Sequence, residues 1–184
     1  MNNAGSKTSF IGFMLCALVS GARAAAYLAE IITHKHIIFA TSVYMMYAVI
    51  FGLALLIAGY AIEYFNNKDI FDLITMFTVM VTLAVSMFPA IIFRGKILGD
   101  IINLALSNLY LLGVAVNFFR KGKQAPCIIL TLMFVFFSGL YPIAMYLIFG
   151  GGVGGVMAYA ISIFNNVLTA VTLGLAAVSV VNDD

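Results

Sequence analysis

Apolar residues run along this chain in long blocks, broken by short clusters of charge, Asn, Gly or Pro. A helix needs about 20 apolar residues to cross the hydrocarbon of a bilayer. Six segments come close to that length: 9–32, 38–62, 71–93, 97–119, 127–149 and 154–181. The cuts fall at His34-Lys35-His36, Asn66-Asn67-Lys68-Asp69, Arg94-Gly95-Lys96, Arg120-Lys121-Gly122-Lys123 and the glycine run from Gly150 to Gly155. Connections this short make consecutive helices antiparallel neighbours. A membrane β-barrel would instead show segments of about ten residues alternating apolar and polar. Phe134-Val135-Phe136-Phe137 and the run from Val49 to Ile57 are apolar at both parities, which selects helices. The predicted fold is therefore an all-α integral membrane protein, a single bundle over residues 1–184 with no soluble domain. It has about six transmembrane helices in three antiparallel hairpins.

Composition strengthens this reading. Of 184 residues, 64% are hydrophobic and 9% charged, with mean hydropathy +1.14. A soluble domain covers its surface with about a quarter charged residues. Nine basic and seven acidic residues lie scattered in small groups, without the basic stripe that nucleic acid requires. Cys16 and Cys127 are far apart and flanked by apolar residues, which is neither a disulfide framework nor a metal-ligand spacing.

The first segment has two readings. Lys7, the apolar stretch Phe10 to Ala22 and the small-x-small sequence Ala22-Arg23-Ala24 before Ala25 have the form of a cleavable signal, which would leave five spans. However, Arg23 sits inside that site and apolar sequence resumes from Ala25 to Ile32, so an uncleaved helix is the reading adopted. Both place the remaining helices in the same direction. The densest basic group, Arg120-Lys121-Gly122-Lys123, puts the loop 120–126 and the C-terminus on the cytoplasmic side.

Ionisable groups within spans are the usual pointers to function, because each has a desolvation cost that something must offset. Arg23 and Glu30, two helical turns apart, share a face of the first segment. Their separation of about 10 Å excludes a direct pair. Glu30 is expected to mark the interface while Arg23 snorkels towards it; the alternative, an ion or proton relay, lacks a second carboxylate at mid-membrane. Glu63, Asp69, Asp72 and Asp100 fall at helix ends, where contact with water is expected. His34 and His36 flank a lysine and lack a third ligand nearby, so no metal site and no cofactor is expected. The glycine run formally contains GxGxxG, but without a preceding strand it reads as a tight turn.

Small residues at packing intervals, as in Ala17/Gly21 and Ala54/Ala58, point to close helix approach in this bundle or with partners. Uncharged polar residues carry the remaining information. Asn103, Asn108 and Asn117 in the fourth segment, and Asn165 and Asn166 in the sixth, demand partners in hydrocarbon. They read as interhelical ties or as the lining of a solute path. Pro89 and Pro142 should kink the third and fifth helices and free a carbonyl each.

No nucleophile with a base is present at membrane depth, so an enzyme is not expected. Two functions fit. One is a non-catalytic helical subunit of a membrane-embedded transport, translocation or secretion assembly. The other is a self-contained channel or carrier for a small uncharged polar solute. The expected partners are the lipid bilayer and other membrane helices, in a homo-oligomer or a larger complex.

Overall fold

The structure, a computed structural model, describes residues 4–34, 37–87, 97–143, 146 and 155–181. Every regular element among them is helical. In chain order these are α1 (Ala4–Thr33), α2 (Ile37–Asn67), α3 (Ile70–Met87), α4 (Ile97–Ser107), α5 (Leu109–Arg120), α6 (Gln124–Val135) and α7 (Gly155–Val181). A π-helical stretch, Phe136–Leu140, carries α6 onward to Ile143. Five helices are long and apolar enough to cross a membrane, or six if the bent pair α4 and α5 is one span. Pro89, Arg94-Gly95-Lys96 and Gly150 to Gly154 lie outside the described residues.

The helix ends have local causes. α1 closes at His34, which takes a left-handed backbone (φ 55) and returns its N–H to the Glu30 carbonyl. Lys68 does the same after α2, with φ 56 and a bond to the Tyr64 carbonyl. The Asp69 carboxylate then accepts from the Phe71 N–H and caps α3. α5 ends at Gly122 (φ 74), where the Lys123 N–H reaches the Phe118 carbonyl in the six-to-one pattern of a glycine-terminated helix. The basic cluster read as a loop is therefore a C-terminal cap. α1 runs unbroken through Arg23.

Two departures from straight helices were not both foreseen. The segment expected to be one helix over 97–119 is broken at Asn108, with a 47° bend between its halves. In the continuation of α6, Pro142 has no N–H for the Ser138 carbonyl, and the preceding residues widen to π geometry, in which the Tyr141 N–H bonds to Phe136. Where a kink was expected, a widened turn precedes Pro142 and the helix continues from Gln124 to Ile143.

α1 packs against both α2 and α7, α2 against α3, α3 against α5, and α5 against α6. Phe13, Leu56, Val79, Val114 and Ala177, from five different helices, are completely buried at the centre. The seam between α1 and α2 is made of small residues. A Cβ on Gly12 would stand 2.8 Å from the Gly52 carbonyl, and one on Gly52 would stand 2.5 Å from Cys16 Sγ. Such backbone approach replaces hydrophobic driving force where the surroundings are apolar. The pairs singled out in the sequence lie elsewhere: Ala54 and Ala58 face outward, and a side chain on Gly21 would meet nothing within 4 Å.

Large apolar side chains also cover the outside. Leu18, Phe51, Phe77, Leu132 and Val171 are all more than half exposed. Helices apolar on their inner and outer faces suit a membrane rather than water.

Candidate functional site

At the end of the bundle where α1 begins, charged side chains are folded inward. Glu63, near the end of α2, is 1% exposed. Its carboxylate accepts from Ser6 Oγ of α1 at 3.1 Å and from Lys121 Nζ, just beyond α5, also at 3.1 Å. Asp72, in the first turn of α3, is 2% exposed and accepts from Asn117 Nδ2 of α5 at 2.6 Å. Outside these, Arg120 pairs with Asp69 at 3.2 Å. Lys123 reaches the Ser179 carbonyl near the end of α7. Five helices are tied together at this one end.

The sequence makes the local geometry. Asp72, Thr75, Val79 and Thr82 are spaced by three or four residues, so they form the buried face of α3. Gly113 lets α5 come against Thr78, whose hydroxyl fills the place of a side chain there. Thr75 Oγ1 shares its one proton between the Phe71 carbonyl of its own helix, at 2.8 Å, and the Gly113 carbonyl of α5, at 3.0 Å. Further along, Thr82 Oγ1 donates to the Leu106 carbonyl and accepts from the Tyr110 N–H, both at 3.2 Å. In an unbroken helix those two backbone groups would bond each other. The threonine of α3 therefore stands inside the backbone ladder at the bend between α4 and α5, one of the established causes of a kink.

A cleft of about 650 Å³ opens beside this network, lined by Asn67, Lys68, Asp69, Ile70, Phe71, Asp72, Arg120 and Lys121. Lys68 lies over the ring of Phe65 at 5.1 Å, a cation–π contact. The expectation that Glu63 and Asp72 sit at helix ends in contact with water is corrected: they do stand near helix ends, but neighbouring helices cover them. The polar spacing along α3 was the signal that Asp72 points inward. Nothing comparable marked Glu63, whose burial depends on α1 lying across it.

The opposite end has a second tie. Glu30 is 8% exposed, with Oε1 accepting from the Tyr159 hydroxyl of α7 at 2.9 Å and Oε2 from the Ile38 N–H of α2 at 3.1 Å. Tyr27 packs edge-on to Tyr159, with ring centroids 5.8 Å apart. Glu30, expected from the sequence to mark an interface, joins three helices at this end. Arg23 is half-buried on α1.

The asparagines have separate environments. Asn117 belongs to the buried network, while Asn108 at the bend donates to the Leu104 carbonyl at 2.8 Å. Asn166 donates to the Ser162 carbonyl of its own helix at 2.8 Å. Asn103 is half-buried on α4. The side-chain oxygens of Asn117 and Asn165 are buried without a hydrogen-bond donor. Among the described residues, no group of three His, Cys, Asp or Glu side chains is placed to hold a metal ion.

Comparisons with protein-family models, with curated proteins and with solved structures find no match for this chain.

Proposed function

We propose that this chain is an integral membrane protein whose six spans form three antiparallel hairpins, and that it serves as a non-catalytic helical subunit of a membrane-embedded transport, translocation or secretion assembly. One observation carries this reading. Glu63, Asp72, Glu30 and Asn117 are turned inward to join helices, whereas the outer faces carry large apolar side chains such as Leu18, Phe51 and Phe77. Such a surface offers contacts to lipid and to other membrane helices. An apolar groove of about 590 Å³ between α1 and α7, lined by Ala17, Gly21, Ala170 and Gly174 among others, leaves room for close approach. The separate environments of Asn108, Asn117 and Asn166 fit packing roles.

The proposed orientation follows from charge. Lys7, Lys68, Arg120, Lys121 and Lys123 belong to the end of the bundle where α1 begins and α5 finishes, and the positive-inside rule assigns that end to the cytoplasm. The experiment is native mass spectrometry of a mild detergent extract from cells expressing the chain at its natural level. A subunit co-purifies with defined partners in fixed ratio; a monomer free of partners contradicts the reading.

The second reading is a carrier for a small uncharged polar solute. It is favoured by the buried, donor-free oxygens of Asn117 and Asn165 and by the widened turn before Pro142. In liposomes, Asn103→Leu, Asn108→Leu and Asn165→Leu would then abolish uptake while leaving the protein stable. Absence of uptake by the unaltered protein rejects it.

A further inference from the structure

Asp72 and Asn117 present two problems at one point. The hydrogen bond that Asp72 receives comes from a neutral amide, and the residue is 2% exposed. Asn117 is equally buried, and its Oδ1 has no donor. Reversing the amide does not help, because it would set Oδ1 against the carboxyl oxygen and leave the nitrogen without an acceptor.

The surrounding charges do not supply the remedy. Glu63 faces Asp72 from α2, Asp69 from the start of α3 and Lys121 from the end of α5. Lys121 is bonded to Glu63, and Asp69 is paired with Arg120. Two buried carboxyls therefore stand beside one lysine that is already engaged. A buried carboxylate without a cationic partner is strongly disfavoured.

One added proton resolves both problems. We propose that Asp72 and Asn117 form a proton-binding site, in which a neutral Asp72 carboxyl accepts from Asn117 Nδ2 and offers its O–H towards Asn117 Oδ1. The ligand is a proton taken from the cleft that Asp72 lines. On loss of the proton, the charge would form next to Glu63 and Asp69 and compete with Glu63 for Lys121, so occupancy of the site is coupled to the tie between α2 and α5. This inference holds whether the chain is a subunit or a carrier.

The test is infrared spectroscopy of the full chain in lipid vesicles at neutral pH, with and without carboxyl-carbon-labelled aspartate. The site predicts a protonated-carboxyl carbonyl band that moves with the aspartate label, is lost in Asp72→Asn and persists in Asp100→Asn. It also predicts that the band shifts in Asn117→Leu, where the amide partner is gone. No label-sensitive band in the unaltered protein overturns the proposal, and that result does not depend on any variant folding. A band that survives Asp72→Asn or vanishes with Asp100→Asn overturns it as well.

Discussion

Lys121 Nζ lies 3.1 Å from Glu63 Oε2, joining the turn after α5 to a carboxylate that is 1% exposed. The lysine itself is 27% exposed, so the pair is half open to water on one side and closed on the other. Removing the cation leaves the buried carboxylate uncompensated. Lys121→Leu should lower stability by roughly 3 kcal/mol, the low end for breaking a buried pair because the lysine is partly exposed. Glu63→Gln keeps an acceptor for Ser6 and should cost less. Thermal unfolding in detergent of both single variants and the double variant measures the coupling, and additive losses would show that the pair is not a unit.

The seam of α1 and α2 depends on the absence of side chains. A Cβ at Gly59 would meet the Ser9 backbone nitrogen at 2.7 Å and the Gly5 carbonyl at 2.9 Å, neither of which can swing away. Gly59→Ala should therefore destabilise by about 1–3 kcal/mol, the usual cost of overpacking. Gly21→Ala and Gly174→Ala meet nothing within 4 Å and should be neutral or gain up to about 1 kcal/mol of helix propensity. The melting temperatures of the three variants, compared in one detergent, check the contrast.

Thr82→Val removes a hydroxyl that serves the Tyr110 N–H and the Leu106 carbonyl together. Both groups are left to find each other across a bent backbone, at a cost of about 1–3 kcal/mol. Thr82→Ser should retain most of the stability. Hydrogen exchange at the Tyr110 amide reads the effect directly: faster in the valine variant, near normal in the serine variant.

Tyr159→Phe deletes the hydroxyl that donates to Glu30 Oε1 while sparing the bond from the Ile38 N–H. The lost bond is charge-assisted, so the variant should be less stable than the unaltered protein. The loss should appear as separation of α7 from α1, measured as a longer distance between spin labels placed on Leu28 and Met157, which are both exposed.

The long apolar helices were legible in the sequence because each is an apolar block that needs no knowledge of its neighbours. Gly122 and Asp69 fell in clusters read as loops, and the structure makes them helix caps. Burial of charge was not legible, since Glu63 is enclosed by a serine and a lysine that lie 57 and 58 residues away along the chain. For the same reason the small-residue seam was misplaced: Ala54 and Ala58 have the right spacing, but the neighbour they would need lies on the Gly52 and Gly59 side of α2. The bend at Asn108 escaped as well, because its wedge, Thr82, belongs to another helix.

The central claim, that these helices cross a bilayer in alternating directions, is tested most directly by labelling single cysteines in oriented vesicles. Cys16 and Cys127 are first replaced by alanine. Cysteines at Lys7, Lys68 and Arg120 should then react from the same side, and a cysteine at His34 from the other. Labelling of all four from one side, or a cysteine-bearing protein that stays monodisperse in plain buffer without detergent, would contradict it.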